Sequence, residues 1–152
     1  MGDGVKIRRL GPRDVAAMRD MLAMFGDAFE DRPAYCDAQP DDAYLTRLLA
    51  SEAFVALAAM VDGAVAGGIA AYVLDKFEQA RREIYLYDLA VAEAQRRRGI
   101  ATALIADLRR VADGLGAYVI FVQADDGDDA AIALYESLGA REDVMHFDIA
   151  VP

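Results

Sequence analysis

Three arginines in a row, Arg96, Arg97 and Arg98, stand directly before Gly99-Ile100-Ala101-Thr102 in a chain whose net charge is −10. A helix opening at Gly99 would present the free N–H groups and the positive dipole end of its first turn. Gly99 and Ala101 carry no bulk, so a diphosphate can approach those N–H groups closely, and the arginines add charge-assisted hydrogen bonds. The pattern Arg96-x-x-Gly99-x-Ala101 is neither a Walker A loop, which needs Gly-Lys-Ser/Thr, nor Gly-x-Gly-x-x-Gly. Taken alone, it reads equally as a solvated basic loop ahead of an amphipathic helix. A second group is acidic: Asp125, Asp126, Asp128 and Asp129 surround Gly127. These aspartates fit turn and helix-cap chemistry, and they equally suit a polycation.

Other chemistries are thinly supplied. Cys36 and His146 are the sole cysteine and histidine, too few for a Cys/His zinc site, and one cysteine cannot form an internal disulfide. The chain carries 26 acidic residues against 16 basic ones, a poor balance for nucleic acid but one that attracts cations. No apolar run has the length of a membrane span, and Met1 to Arg9 lacks the apolar core of a secretory signal. The expected location is the cytoplasm.

The elements that must hold these residues follow from the patterning. With 152 residues, of which 56% are hydrophobic, and no repeat or linker, one domain over 1–152 is expected. Val5 to Leu10 alternates as a first strand. Asp14 starts a helix through about Phe25, with Val15, Met18, Leu22 and Phe25 on one face. Asp41 or Asp42 caps a shorter helix carrying Tyr44, Leu45, Leu48 and Leu49. Phe54 to Val61 and Ala64 to Leu74 flank Asp62-Gly63, a hairpin turn pair. Glu83 to Val91 is a strand, Gly99 to about Asp113 a helix ended by Gly114 or Gly116, and Ala117 to Val122 a strand. A short helix runs to Leu138 and is closed by Gly139, and Val144 to Ile149 is a last strand. The order β-α-α-β-β-β-α-β-α-β implies a mixed sheet.

On three of these segments the chain resembles the GNAT superfamily of acyl-CoA-dependent N-acetyltransferases. They are the strand Tyr87-Asp88-Leu89-Ala90-Val91, the loop Arg96-x-x-Gly99-x-Ala101, and the helix and turn Ala131-Ile132-Ala133-Leu134-Tyr135-Glu136-Ser137-Leu138-Gly139-Ala140. Within that superfamily Lys76-Phe77-Glu78-Gln79, Glu83 to Val91, Gly116 to Ile120, Val122-Gln123-Ala124-Asp125 and Val144-Met145-His146-Phe147-Asp148-Ile149 are similar to type I aminoglycoside 3-N-acetyltransferases. The resemblance spans about Ile7 to Ile149.

The resemblance implies an α/β (α+β) fold. Its central mixed sheet would have about six or seven strands, splayed in a V, with about four flanking helices. Acetyl-CoA would be the co-substrate, without a metal. Its pantetheine arm would enter the gap between the strands ending near Val91 and Val122 and bond to backbone at Leu89, Ala90 and Val91. Its pyrophosphate would sit on the N–H groups of Arg98, Gly99, Ile100, Ala101 and Thr102, beside Arg96 and Arg97. Asp128 stands where the superfamily often has asparagine. It still caps a helix but donates nothing to the pantetheine. Arg98 replaces a glutamine frequent in relatives, leaving the anion site at least as positive.

Acetyl transfer needs a neutral amine, stabilisation of the developing oxyanion and a proton for the departing thiolate. The backbone N–H near Leu89 is the expected oxyanion donor. Asp88 is the expected base or substrate carboxylate, directly or through one water, or else it accepts backbone or tyrosine hydrogen bonds. In a period-two strand Asp88 shares a face with Ile84 and Leu86, and a bulge would change that. Glu83 is the alternative base. By position, Tyr135 matches the superfamily's helix tyrosine and is the expected acid; it could instead be a core aromatic. An aminoglycoside would meet Glu78, Glu83, Asp88, Asp125, Asp126 and Asp129.

The expected activity is therefore acetylation of an aminoglycoside such as gentamicin at its 3-amino group, by direct attack in a ternary complex, giving antibiotic resistance. The alternatives are another polyamine, amino sugar or protein amine as acceptor, or a non-catalytic acyl-CoA-binding module. Relatives commonly form dimers, and the apolar last strand with His146 and Phe147 could serve such an interface. His146 is otherwise a core residue.

Overall fold

Asp62 and Gly63 both adopt positive φ, 50° and 79°, the conformation that a two-residue hairpin turn requires. They join β2 (Phe54–Val61) to β3 (Ala64–Asp75), the centre of the sheet. The computed structural model describes residues 4–152, so the first three positions of the expected domain lie outside the described residues. Around the hairpin come β1 (Val5–Arg9), β4 (Arg82–Val91) and β5 (Ala117–Val122), in the spatial order β1-β2-β3-β4-β5. The first four strands are antiparallel neighbours and β5 lies parallel to β4. The sheet is mixed, as the alternation of patterns implies.

The helices cover it from two sides. On one face α1 (Val15–Ala28) and α3 (Asp42–Ala50) bury Met18, Met21, Phe25, Leu45 and Leu49 against Phe54, Ala56, Ala58 and Ala90. On the other, α4 (Ile100–Gly114) buries Ile100, Leu104, Ile105 and Leu108 against Leu57, Ile69, Ile84 and Leu86. Leu134 and Tyr135 of α5 (Asp129–Leu138) pack against this second cluster. Two glycines of β3 permit the close packing. A Cβ on Gly68 would overlap Met21 Sδ and lie 2.8 Å from Met21 Cγ, and one on Gly67 would lie 3.1 Å from Ile100 Cγ2.

The structure departs from the sequence expectation in three places. The sheet has five strands among the described residues, not six or seven. The segment Val144–Ile149 is irregular and pairs with no strand, and a strand without a ladder partner is not a strand. The helices number five among the described residues rather than about four. The extra one is α2 (Arg32–Tyr35), a single turn with Pro33 in its first turn, whose start is capped where Asp31 accepts a hydrogen bond from the Ala34 N–H at 3.3 Å. Finally, α1 runs to Ala28, beyond the expected end at Phe25.

Candidate active site

β4 begins as an ordinary partner of β5 and then leaves it. The two pair from Arg82–Ala117 to Leu86–Val122, and the pairing stops there, so Tyr87–Val91 faces an opening on its β5 side. Against β3 the register slips at the same point: Ala71 pairs with Leu86 and Ala70 with Asp88, leaving Tyr87 as an inserted residue. This β-bulge turns Asp88 away from the face of Ile84 and Leu86. Those two lie in the α4-side core, whereas Asp88 reaches Tyr35 of α2 on the opposite face. Strict alternation would have misplaced the carboxylate.

Downstream of the bulge the backbone alternates again. The Ala92 N–H bonds to the Ala66 carbonyl of β3 at 2.7 Å, so the N–H and C=O of Ala90, two residues earlier, also point to β3. Those of Leu89 and Val91 therefore face the opening. The Val91 carbonyl there accepts a hydrogen bond from Arg96 Nε at 3.3 Å. Of the three backbone positions expected to hold a pantetheine arm, Leu89 and Val91 have this orientation and Ala90 does not.

Asp88 is held from across the fold. The Tyr35 hydroxyl donates to Asp88 Oδ2 at 2.8 Å. Tyr35 is itself wedged beside Phe25 and Phe29, at ring separations of 5.9 and 5.6 Å. Gly26 makes the approach of α2 possible, because a Cβ there would meet Cys36 Sγ at 2.7 Å. Burial raises the Asp88 carboxyl above the usual carboxylate range, and the Tyr35 hydrogen bond pulls it part of the way back. Burial and the neighbouring Asp88 raise the Tyr35 hydroxyl in turn. Sequence reading missed Tyr35: it lies 53 residues from its partner on a four-residue helix, and nothing local marks it.

Tyr135 approaches from the other side of the sheet, on α5. Burial raises its hydroxyl, and the charges of Asp128 and Asp88 add to that. The charge of Asp88 is thus felt at Tyr135, although the two approach from opposite faces of the sheet.

The arginine loop precedes α4 as expected. Gly99 sits at φ 74° and Arg97 at φ 65°, a winding that gathers backbone N–H groups into a concave turn. The first intrahelical bond runs from the Ala103 N–H to the Gly99 carbonyl, and no side chain caps the helix. The N–H groups of Ile100, Ala101 and Thr102 therefore have no partner within the helix. A Cβ at Gly99 would meet open space. Arg96 and Arg97 are exposed, and Arg98 Nη1 donates to Gln95 Oε1. This concave, uncapped, cationic turn fits a diphosphate.

The remaining carboxylates divide. Glu83 pairs with Lys76 at 2.5 Å, and Glu78 lies 3.2 Å from the same ammonium and 3.9 Å from Arg81. Both belong to the end of β4 away from the opening. Asp125, Asp126 and Asp129 are exposed at the turn into α5, while Asp128 caps that helix by accepting from the Ala131 N–H at 3.3 Å. His146 lies exposed in the C-terminal segment, 2.8 Å from Asp148, not in the core. No group of three or more metal-ligating side chains occurs among the described residues.

One further feature escaped the sequence reading. Phe54, Tyr72, Tyr87, Tyr85 and Phe121 form a row of ring contacts across β2, β3, β4 and β5, with neighbouring centroids 4.6 to 5.6 Å apart. Tyr87, the inserted residue of the bulge, stands in the middle of the row, next to Asp88. Each ring comes from a different strand position, so only the sheet register makes them neighbours.

The sequence profile of the Acetyltransferase (GNAT) family matches residues 18–140. The chain belongs to this family. GNAT acetyltransferases use acetyl-CoA, and the turn at Gly99–Thr102 and the opening beside Leu89 are the features of this member that fit it. The chain is 55% identical over the whole length of both proteins to HMB0005, an aminoglycoside acetyltransferase from an uncultured soil metagenomic sample, with a TM-score of 0.96. It is 31% identical to meta-AAC0020, a second soil aminoglycoside acetyltransferase, over 99% of this chain and 98% of that one, with a TM-score of 0.91. Crystals of meta-AAC0020 contain trehalose or sisomicin. A ribosomal-protein-alanine N-acetyltransferase from Brucella melitensis biovar Abortus 2308 is 28% identical, over 97% of this chain and 99% of that one, at a TM-score of 0.76. No curated protein sequence matches the chain. Among the described residues, no helix is long and apolar enough to cross a membrane.

Proposed function

We propose that this protein acetylates the 3-amino group of the deoxystreptamine ring of aminoglycosides, by direct attack in a ternary complex with acetyl-CoA. The observation that carries the reading is the Asp88 carboxylate, fixed by Tyr35 beside the β4–β5 opening and flanked by the aromatic row. An acceptor with several ammonium groups finds there a half-buried carboxylate and the π-faces of Tyr72 and Tyr87, both of which attract cations. The binding of sisomicin by the 30% identical meta-AAC0020 supports an acceptor of this class. The 3-position itself rests on the resemblance of Lys76–Gln79, Glu83–Val91 and Val144–Ile149 to the type I 3-N-acetyltransferases.

Acetyl-CoA supplies a thioester carbonyl for attack and a thiol as leaving group. Asp88, ionised, takes the proton that the acceptor ammonium must shed, directly or through a water. The Leu89 N–H, turned into the opening, donates to the carbonyl oxygen as negative charge grows there. Tyr135, held protonated by its raised pKa, donates its hydroxyl proton to the departing sulfur. As the C–N bond forms and the C–S bond breaks, the attacking nitrogen sheds its second proton to solvent, Asp88 holds one proton and Tyr135 has lost one. Transfer through solvent restores both. Glu83 serves as base only if an acceptor first displaces Lys76 from it.

The test is to incubate the purified protein with acetyl-CoA and gentamicin, follow free thiol, and locate the new acetyl group by NMR. Thiol release with acetylation at the 3-amino nitrogen is the expected outcome. Release only with spermidine, glucosamine or a peptide amine would replace the acceptor. Tight coenzyme A binding without turnover would replace the enzyme by a binding module.

A further inference from the structure

Gln123 is the first residue beyond β5, directly after Val122, whose pairing with Leu86 is the last between β5 and β4. The Tyr85 hydroxyl of β4 donates to Gln123 Oε1 at 3.0 Å. A side-chain hydrogen bond thus bridges the two strands at the point where their backbones part. The pair stands on the Asp88 side of the sheet. Tyr85 lies opposite Phe121 in the register and stacks on it with ring centroids 4.6 Å apart, and Gln123, two residues beyond Phe121, follows on the same face. Tyr85 in turn meets the ring of Tyr87 at 5.5 Å, and Asp88 is the next residue. Burial raises the Tyr85 hydroxyl, and the neighbouring Tyr87 and Asp88 add to that, so the phenol stays a neutral donor.

The other groups around Asp88 that an acceptor would meet are carboxylates and tyrosine rings, and both attract any cation. The amide is different. Its oxygen is engaged by the Tyr85 phenol, and its two Nε2 hydrogens have no hydrogen-bond partner among the described residues. Gln123 is exposed, so those hydrogens are accessible to a ligand. An ammonium group carries only donors and offers an N–H nothing, whereas a hydroxyl oxygen accepts from it.

We propose that the Tyr85–Gln123 pair reads a hydroxyl group of the acceptor next to the amine bound at Asp88, and so selects hydroxylated amines such as aminocyclitols and amino sugars over linear polyamines. This rests on the reading of the protein as an aminoglycoside acetyltransferase and names the group that separates that class of acceptor from spermidine. Asp88 and the tyrosine faces supply the attraction common to all polycations. The neutral amide supplies the difference on which specificity depends.

Isothermal titration of gentamicin and of spermidine into the coenzyme A complex measures the ratio of their dissociation constants in the wild type, Gln123→Glu and Gln123→Ala. Glutamate keeps the length of the side chain but exchanges its N–H donors for a carboxylate. The wild type should prefer gentamicin, and that preference should shrink by about tenfold in Gln123→Glu and by less in Gln123→Ala. Added negative charge by itself strengthens the binding of gentamicin, the richer in ammonium groups, at least as much as that of spermidine, so a shrinking preference is not an effect of charge. An unchanged or growing preference in Gln123→Glu overturns the proposal, as does a wild type that does not prefer gentamicin. Where Gln123→Glu fails to fold, Tyr85→Phe decides together with Gln123→Ala. Tyr85→Phe removes the bond that orients the amide, and a preference retained in both variants overturns the proposal. Thiol release from acetyl-CoA keeps this outcome apart from the reaction itself. Turnover of gentamicin with a preference indifferent to Gln123 removes the amide's role alone, and a preference that depends on Gln123 without turnover supports that role while removing the reaction.

Discussion

The sheet from β1 to β4 and the part of the chain beyond α4 are built to different standards. In the first region, both faces are closed. Met21, Phe25, Leu57, Ile69, Leu104 and Leu108 are inaccessible or nearly so, and two glycines of β3 are needed to let the helices close in. In the second, β5, α5 and the C-terminal segment contribute no buried residue to either core. The candidate chemistry lies on the line between them. Asp88 is placed by the closed region, through Tyr35 and the bulge, while Tyr135 belongs to the open one. A site at such a boundary gains a rigid wall for the base and an accessible gap for a long, flexible co-substrate.

The largest expected effect tests whether Asp88 belongs to chemistry or to structure. Asp88→Asn keeps the shape and still accepts the Tyr35 hydrogen bond but removes the base. Turnover with gentamicin should fall by about 10² to 10⁴-fold, with the unfolding midpoint little changed. A variant that keeps wild-type turnover would leave Asp88 as a mere partner for Tyr35. One that unfolds would assign Asp88 to the closed region's architecture.

A smaller effect addresses the two standards of packing directly. Gly68→Ala drives a methyl group into Met21 Sδ, and such overpacking costs about 1–3 kcal/mol. Leu138→Ala, at an exposed position of α5, should cost within about 0.5 kcal/mol. Urea unfolding of both variants measures the contrast. Equal losses would erase the distinction between the regions.

Much of the closed region was legible because its signals are local. Asp62-Gly63 marks the hairpin, the spacing of Met18, Leu22 and Phe25 marks α1, and Arg96-x-x-Gly99-x-Ala101 marks the start of α4. The family followed from such motifs. What the sequence concealed depends on register and on distant contacts. The bulge at Tyr87 appears only when β4 is laid against β3. The row Phe54–Tyr72–Tyr87–Tyr85–Phe121 exists only when four strands are aligned, and Tyr35 meets Asp88 only after α2 folds back on α1. The last segment shows the opposite failure. Val144–Ile149 has the composition of a strand, yet it joins no edge among the described residues, because composition alone supplies no pairing partner.

The smallest expected effect isolates what the closed region does for the base. Tyr35→Phe removes one hydroxyl and leaves the ring packing against Phe25 and Phe29 intact. The hydrogen bond it removes lowers the Asp88 pKa against the opposing effect of burial. Without it, burial acts unopposed and the carboxyl rises further. The base works when ionised, so the acid limb of kcat/KM, which climbs as pH rises through this pKa, should move to higher pH in the variant. Above that limb Asp88 is ionised in both proteins, and the rates should converge. The readout is the pH profile rather than a single rate, because a general loosening of α2 would lower activity at every pH without moving the limb. An unshifted limb would mean that Tyr35 only fills space, and that the opening between β4 and β5 sets the carboxylate's behaviour without help from the far side of the sheet.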